Sequence, residues 1–339
     1  ERYLCAAIAA CVLLVTFVAL ISAPTTWDSM TYHLARVAAW LQLGGASHYA
    51  TSATPQLFQP PGAELLIAHF QALTGSDRFA SVIQTVAYAL VIVLASLVAH
   101  QLGGGRRAQL LASFLAAATP MAIMQGSSTQ NDLLVGLWLM LAAGLALTIR
   151  AEPEFAFVRA LVACAAVALA LLTKGTAWIY LPPILLLMAY SLVGRLGWKR
   201  FALVGVCGIA IVLAVNAAPW LQNHQTFGKY IFSDDQVFNY STDSVSPGTL
   251  ASNVVRNGAI YLGTPVDAIN SESGELVARS LKAVGADPDD PSTVFFGASF
   301  EVPRAGPQEA HGPSILLALL LGWSLALVAQ RSTDLMPAF

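Results

Sequence analysis

Eight runs of apolar residues, most of them about as long as a helix that crosses a lipid bilayer, divide this sequence. An α-helix rises 1.5 Å per residue, so a hydrocarbon core of roughly 30 Å calls for about 20 of them. The runs are Tyr3–Ala23, Phe79–Leu102, Gln109–Met124, Leu133–Ile149, Ala160–Thr173, Trp178–Val193, Phe201–Ala218 and Ser314–Ala329. Ala160–Thr173 is the shortest, and its length is accommodated if Lys174 marks the interface. The first run is too long for the apolar part of a signal peptide and lacks a small-residue cleavage site, so it reads as a retained helix. The composition points the same way. Hydrophobic residues make up 56% of the chain and charged residues 11%, against roughly 25% charged in soluble domains. A soluble surface must be covered with polar groups; a lipid-facing surface need not be. The fold class read from the sequence is therefore all-α: a polytopic transmembrane bundle of about eight spans.

Lys and Arg in the short connections orient the bundle. Arg2, Arg106, Arg107, Arg150, Arg159, Arg195, Lys199, Arg200 and Arg331 fall on one side, and Arg36, Arg78 and Lys174 on the other. The richer side is expected in the cytoplasm, which puts the N-terminus inside, and eight crossings return the chain end to that side. The chain divides into a core over 1–218 that includes a first outer loop at 24–77, a long extracytoplasmic loop at 219–313, and a last span within 314–339. In the first loop, Met30, Leu34, Val37 and Leu41 recur at helical steps, so Trp27–Leu43 is expected to be an amphipathic helix. Pro60-Pro61 opens a second helix, Gly62–Leu73. Both are expected to be interfacial helices. The sequence opens Glu-Arg and stops soon after an apolar run, as a fragment or a trimmed chain would.

Some classes of chemistry find no support. Cys5, Cys11, Cys164 and Cys207 all lie within apolar runs, where cysteine behaves as a small hydrophobe. No Walker-type glycine run points to a nucleotide, and no metal-ligand spacing such as H-E-x-x-H occurs. The acidic residues Asp287, Asp289 and Asp290 alternate with turn-forming Pro and read as a solvated turn. The net charge of −2 says little about partners, and nothing suggests nucleic acid. No cofactor is expected.

Charged groups at the membrane carry more information, because a mid-bilayer Asp, Lys or Arg costs about 2.5–3.5 kcal/mol on insertion scales. Topology puts three of them near the outer face. Asp28 directly follows the first span; it is either a helix cap or a carboxylate base, with Tyr32 and His33 about one turn along on the same face and Arg36 beyond. Asp132 closes the densely polar turn Gln125-Gly-Ser-Ser-Thr-Gln130-Asn131-Asp132, as a cap or as part of a hydrogen-bonding wall for a sugar. Lys174 stands between two apolar runs with almost no loop, either reaching to the interface or pairing a phosphate.

On these residues the chain resembles the GT-C class of membrane glycosyltransferases, specifically bacterial relatives of the dolichyl-phosphate-mannose protein mannosyltransferases. The matching features are Trp27-Asp28-Ser29 with Tyr32-His33, Gln130-Asn131-Asp132, Leu172-Thr173-Lys174-Gly175 and Pro219-Trp220-Leu221-Gln222-Asn223. The resemblance spans essentially the whole chain and rests on the order of these motifs and their placement on one face. It implies a helical bundle in the bacterial plasma membrane with its active site facing the periplasm or exterior. It implies a polyprenyl-phosphate sugar donor and an inverting transfer to an acceptor hydroxyl, with Asp28 as base. Lys174 would neutralise the donor phosphate, helped by Arg256 or His311 of the second long loop, and Asp132 would orient acceptor or sugar. Tyr32, His33, Arg36, Gln130 and Asn131 would line the substrate site. Many relatives carry a second acid after the first-loop Asp where this chain has Ser29, which weakens any metal role. Relatives usually have more than eight spans, which implies that a C-terminal part is missing. The rival class is a polytopic transporter or lipid-linked-sugar flippase, which would show broken helices, midplane charges and related halves; a third is a non-catalytic subunit. No repeat relates the two halves.

Overall fold

The structure is a computed structural model that describes residues 1–151, 153–231, 244, 246–294, 299–305, 314 and 319–320. It divides into two compact units, one made of Glu1–Ala118 and Ala122–Asp235 and the other of Thr119–Met121 and Gln236–Phe339. Every regular element among the described residues is helical.

The first unit opens with α1 (Arg2–Ile21). The first outer loop then folds into a π-helical turn at Ser29–His33, α2 (Leu34–Leu43), α3 (Pro55–Phe58) and α4 (Gly62–Thr74). There follow α5 (Val82–Gln101), α6 (Arg106–Ala118), α7 (Pro120–Gly126), α8 (Asp132–Ala151) and α9 (Ala156–Thr173). A helical run over Ala177–Phe227 breaks at Gly197, whose φ of 71° and ψ of 162° leave the helical region. It gives α10 (Ala177–Val193) and α11 (Gly197–Phe227).

Five helices are long and apolar enough to cross a membrane, and a sixth span results if α6 and α7 count as one. All seven apolar runs that fall on described residues are helical, though α10 is short for a span. The eighth run, Ser314–Ala329, lies almost wholly outside the described residues. Two boundaries differ from the sequence reading. The third run is not one straight helix, because α6 and α7 meet at a bend of 62°; Pro120 lacks the N–H that would continue the ladder and starts a new helix instead. The seventh run does not stop at Ala218. It continues through Pro219 to Phe227, since a membrane helix tolerates a proline where neighbouring groups make up the lost bond.

α9 is the central helix. Half of its span is buried, against 11% for α1, and it packs on α8, α10 and α11. Ala156, Ala160, Ala163, Ala166 and Ala170 are almost fully buried along it. Small side chains let helix backbones approach closely where lipid removes the hydrophobic drive for association. The outward faces of the peripheral helices stay apolar, with Leu13 and Phe17 on α1 and Val206 and Ile209 on α11 exposed, as a lipid-facing surface requires.

The first outer loop approaches this core closely at Gly62. A Cβ added to Gly62 would sit 2.9 Å from the Leu172 carbonyl oxygen and 3.2 Å from the Thr173 Cα. The start of α4 therefore rests directly on the backbone that leads into Lys174. Backbone cannot yield as a flexible side chain does, so Gly62→Ala is expected to cost about 1–3 kcal/mol of overpacking. A melting temperature measured in detergent and equal to that of the wild type would contradict this.

The second unit contains α12 (Pro247–Ile260), opened by a Ser246/Thr249 capping box, and α13 (Asp267–Ala283). Asn270 exchanges hydrogen bonds with the Thr264 backbone, and Ala305 N–H donates to the Thr264 carbonyl. The Asp287–Asp290 stretch is a turn in which Asp287 accepts from the Asp289 N–H and Asp290 from the Ser292 N–H.

Candidate active site

Asp28 begins the helical run of the first outer loop and is half-buried. The Thr26 and Ser29 hydroxyls lie 2.5 Å apart, and Ser29 is fully buried, so Ser29 here closes a hydroxyl pair. The Tyr32 hydroxyl, 3.4 Å from Asp28 Oδ2, donates to it. Burial pushes the Tyr32 hydroxyl well above its ordinary value, and the carboxylates of Asp28, Glu64 and Asp132 push it further. Tyr32 thus stays a proton donor.

The His33 ring packs against Tyr32 with centroids 4.0 Å apart, and its imidazole is paired with Glu64. It is fully buried, and its Nδ1 lies 2.8 Å from Glu64 Oε1. Arg36 is buried beside it, 3.4 Å from the same oxygen. Its guanidinium donates to the carbonyls of Pro55 at 3.1 Å and Gln59 at 2.9 Å, and also to that of Gln56. It lies 5.5 Å from the centre of the Trp40 ring. The predicted apolar stripe shifts with it: Val37 is buried, but Met30 and Leu41 are exposed while His33, Arg36 and Trp40 go inside. The π-helical turn at 29–33 carries more than 3.6 residues per turn and so rotates α2 about its own axis. Burial works against the Glu64 carboxylate, yet His33 and Arg36 together outweigh it and hold Glu64 below the usual range. Such a buried charge is maintained only when it is paired and hydrogen-bonded.

Glu64 is the residue that sequence reasoning missed. Its signal was available, because it is the one acid between Asp28 and Asp77 and stands in an apolar helix.

Asp132 and Lys174 meet. Lys174 Nζ lies 2.6 Å from Asp132 Oδ1, with the lysine 22% exposed and the carboxylate 41%. Lys174 has extended backbone at the end of α9, and its carbonyl accepts the Ala177 N–H, so a three-residue turn holds it between α9 and α10. Asn131 Nδ2 donates to the Thr173 carbonyl at 3.0 Å and fixes the two turns together. Gln130 is buried next to Asn131. Arg256 belongs to the second unit, where it is buried and donates to the Pro288 carbonyl at 2.6 Å and the Thr293 hydroxyl at 2.8 Å. His311 lies outside the described residues. No group of three His, Cys, Asp or Glu among the described residues could hold a metal ion.

Beside Lys174 a cavity of about 540 Å³ runs between α9, α10 and α11. Leu171 and Trp178, which flank Lys174 in sequence, both line it, and Trp178 stacks on Trp220 at 6.4 Å. Leu185, Ile209 and Leu213 line it while remaining exposed, so it opens towards the lipid side. The assembly can accept a proton at Asp28, neutralise an anion at Lys174 and receive a long apolar chain.

Residues 58–221 match the family model described as dolichyl-phosphate-mannose-protein mannosyltransferase. That stretch includes Glu64, Asp132, Lys174 and the apolar cavity, and begins after Asp28. No curated protein and no solved structure matches the chain.

Proposed function

We propose that this chain, a membrane glycosyltransferase of the mannosyltransferase-like GT-C type, moves a sugar from a polyprenyl-phosphate donor to an acceptor hydroxyl. The transfer takes place on the extracytoplasmic face of a bacterial plasma membrane. The observation that carries the reading is Lys174 in the turn between Leu171 and Trp178, both of which line the apolar cavity. A polyprenyl phosphate joins a long hydrocarbon to one anionic group, and a lysine in the turn that joins two walls of an apolar cleft complements both parts.

In this reading the acceptor oxygen attacks the anomeric carbon from the face opposite the phosphate. The carbon–oxygen bond to phosphate breaks with its electron pair on the phosphate, the acceptor proton passes to Asp28, and the configuration inverts. Tyr32, donating to Asp28, keeps that carboxylate aimed. Lys174 exchanges Asp132 for the donor phosphate, and Asp132 is released towards sugar or acceptor. His33 and Arg36 support the loop through Glu64.

The face is tested by cysteine labelling. Gly45 and Gly105 both have open space where a Cβ would stand, so Gly45→Cys and Gly105→Cys should fold. In intact cells an impermeant thiol reagent is expected to label Gly45→Cys and spare Gly105→Cys; the reverse pattern would put the site in the cytoplasm. Transfer itself is tested by incubating purified protein with a polyprenyl-phosphate sugar and measuring the polyprenyl phosphate released. Release in step with glycosylated product is expected, and a donor that crosses vesicle membranes intact would make the chain a flippase.

A further inference from the structure

A second space in the first unit, of about 200 Å³, lies among Arg36, Trp40, Ala46, His48, Pro61 and Gln222. Its volume falls below the roughly 300–1,000 Å³ of pockets that hold drug-sized ligands. Its walls are pinned. Arg36 is held by three carbonyls and Glu64, His48 Nδ1 lies 2.6 Å from the Thr226 hydroxyl, and the Gln222 amide donates to the Ala46 carbonyl at 3.4 Å. The Gln222 amide oxygen has no partner among the described residues.

The lining chemistry narrows the occupant. A phosphate would need donors to neutralise it, and the Arg36 guanidinium is already committed to carbonyls and a carboxylate. A prenyl chain would cover the Gln222 amide oxygen and offer it no donor, at the cost of an unpaired polar group. A sugar ring presents C–H faces to Trp40 and the proline and leucine walls, and a hydroxyl to the Gln222 amide oxygen. It satisfies both.

Position gives the ring its role. Asp28 and Arg36 lie eight residues apart on one continuous helical run, roughly 12 Å at 1.5 Å per residue. Pro61 lines the pocket, while the adjacent Gly62 touches the Leu172–Thr173 backbone that precedes Lys174. The pocket therefore flanks the transfer centre, too far for the reacting sugar and well placed for a neighbouring ring. We infer that the acceptor is a saccharide of at least two rings, whose non-reacting ring occupies the pocket formed by Trp40, His48 and Gln222. This inference rests on the reading of Asp28 and Lys174 as the transfer centre.

The test uses the full chain in detergent and saturation-transfer NMR. The probes are free disaccharides and methyl glycosides of mannose, glucose, galactose, arabinose and N-acetylglucosamine. Saturable binding of at least one ring is expected, weakened tenfold or more by Ala46→Trp, which fills the pocket from an exposed loop, and by Gln222→Leu. No binding by any probe, or binding that neither variant changes, overturns the subsite. Binding of a short-chain prenyl phosphate, measured on the same samples, separates the two readings. Prenyl phosphate bound without any sugar overturns the subsite alone. Sugar bound in a pocket that Ala46→Trp closes, with no prenyl phosphate bound at all, supports the subsite and overturns the donor site.

Discussion

Asp28→Asn is expected to lower transfer by roughly 10²–10⁴-fold, the usual contribution of a positioned general base, while donor binding and folding stay near wild type. The substitution keeps the shape and hydrogen-bonding edge of the side chain and removes its basicity. Tyr32 can still donate to the amide oxygen, so the π-helical turn and the buried Ser29 hydroxyl pair should persist. Turnover measured with a polyprenyl-phosphate sugar at saturating donor reads the effect, and ordinary activity would remove Asp28 from the mechanism. A loss confined to donor affinity would do the same, since a base acts on the acceptor proton.

Lys174→Ala is expected to act on the other substrate. A hydrogen bond to a charged group contributes about 1.5–3 kcal/mol, which at 1.4 kcal/mol per factor of ten is roughly a 10–150-fold loss of prenyl-phosphate affinity. The effect should fall at the upper end, because Asp132 loses the cation 2.6 Å away and its carboxylate then repels the incoming phosphate. The double variant Lys174→Ala/Asp132→Asn should accordingly recover part of the affinity lost in the single one. Calorimetry with a short-chain prenyl phosphate checks both, and unchanged affinity in Lys174→Ala would exclude it as the phosphate partner.

The two predictions fall on the two substrates because the proposed site draws on two sequence-distant pieces. Asp28 and Tyr32 come from the first outer loop, while Asp132 and Lys174 come from the turns that open α8 and close α9. Gly62, where α4 rests on the Leu172 and Thr173 backbone, connects the first outer loop to the second piece. Asn131, bonded to the Thr173 carbonyl, braces the second piece.

The helices themselves were legible in the sequence. In hydrocarbon each backbone polar group must be satisfied within its own segment, so a long apolar run has almost no alternative to helix. That argument located α1, α5, α8, α9, α10 and α11, and the Pro60-Pro61 pair located the start of α4. It also marked Asp28, Asp132 and Lys174, because a charge beside an apolar run is costly enough to need a reason. What the run length could not show was the bend between α6 and α7 or the passage of α11 through Pro219. A proline's missing donor can be made good or can break the helix, and its surroundings decide which.

The pairings were decided by tertiary structure alone. His33 meets Glu64 across 31 positions and Lys174 meets Asp132 across 42, and no local periodicity encodes distances of that kind. A π-helical turn rotated His33 and Arg36 inward, and Glu64 was waiting there to balance them. Apolar patterning therefore determined which segments are helices and which charges stand at their ends, because solvation acts on each residue separately. Which charge answers which depends on how the helices pack, and only the folded chain brings those partners within reach.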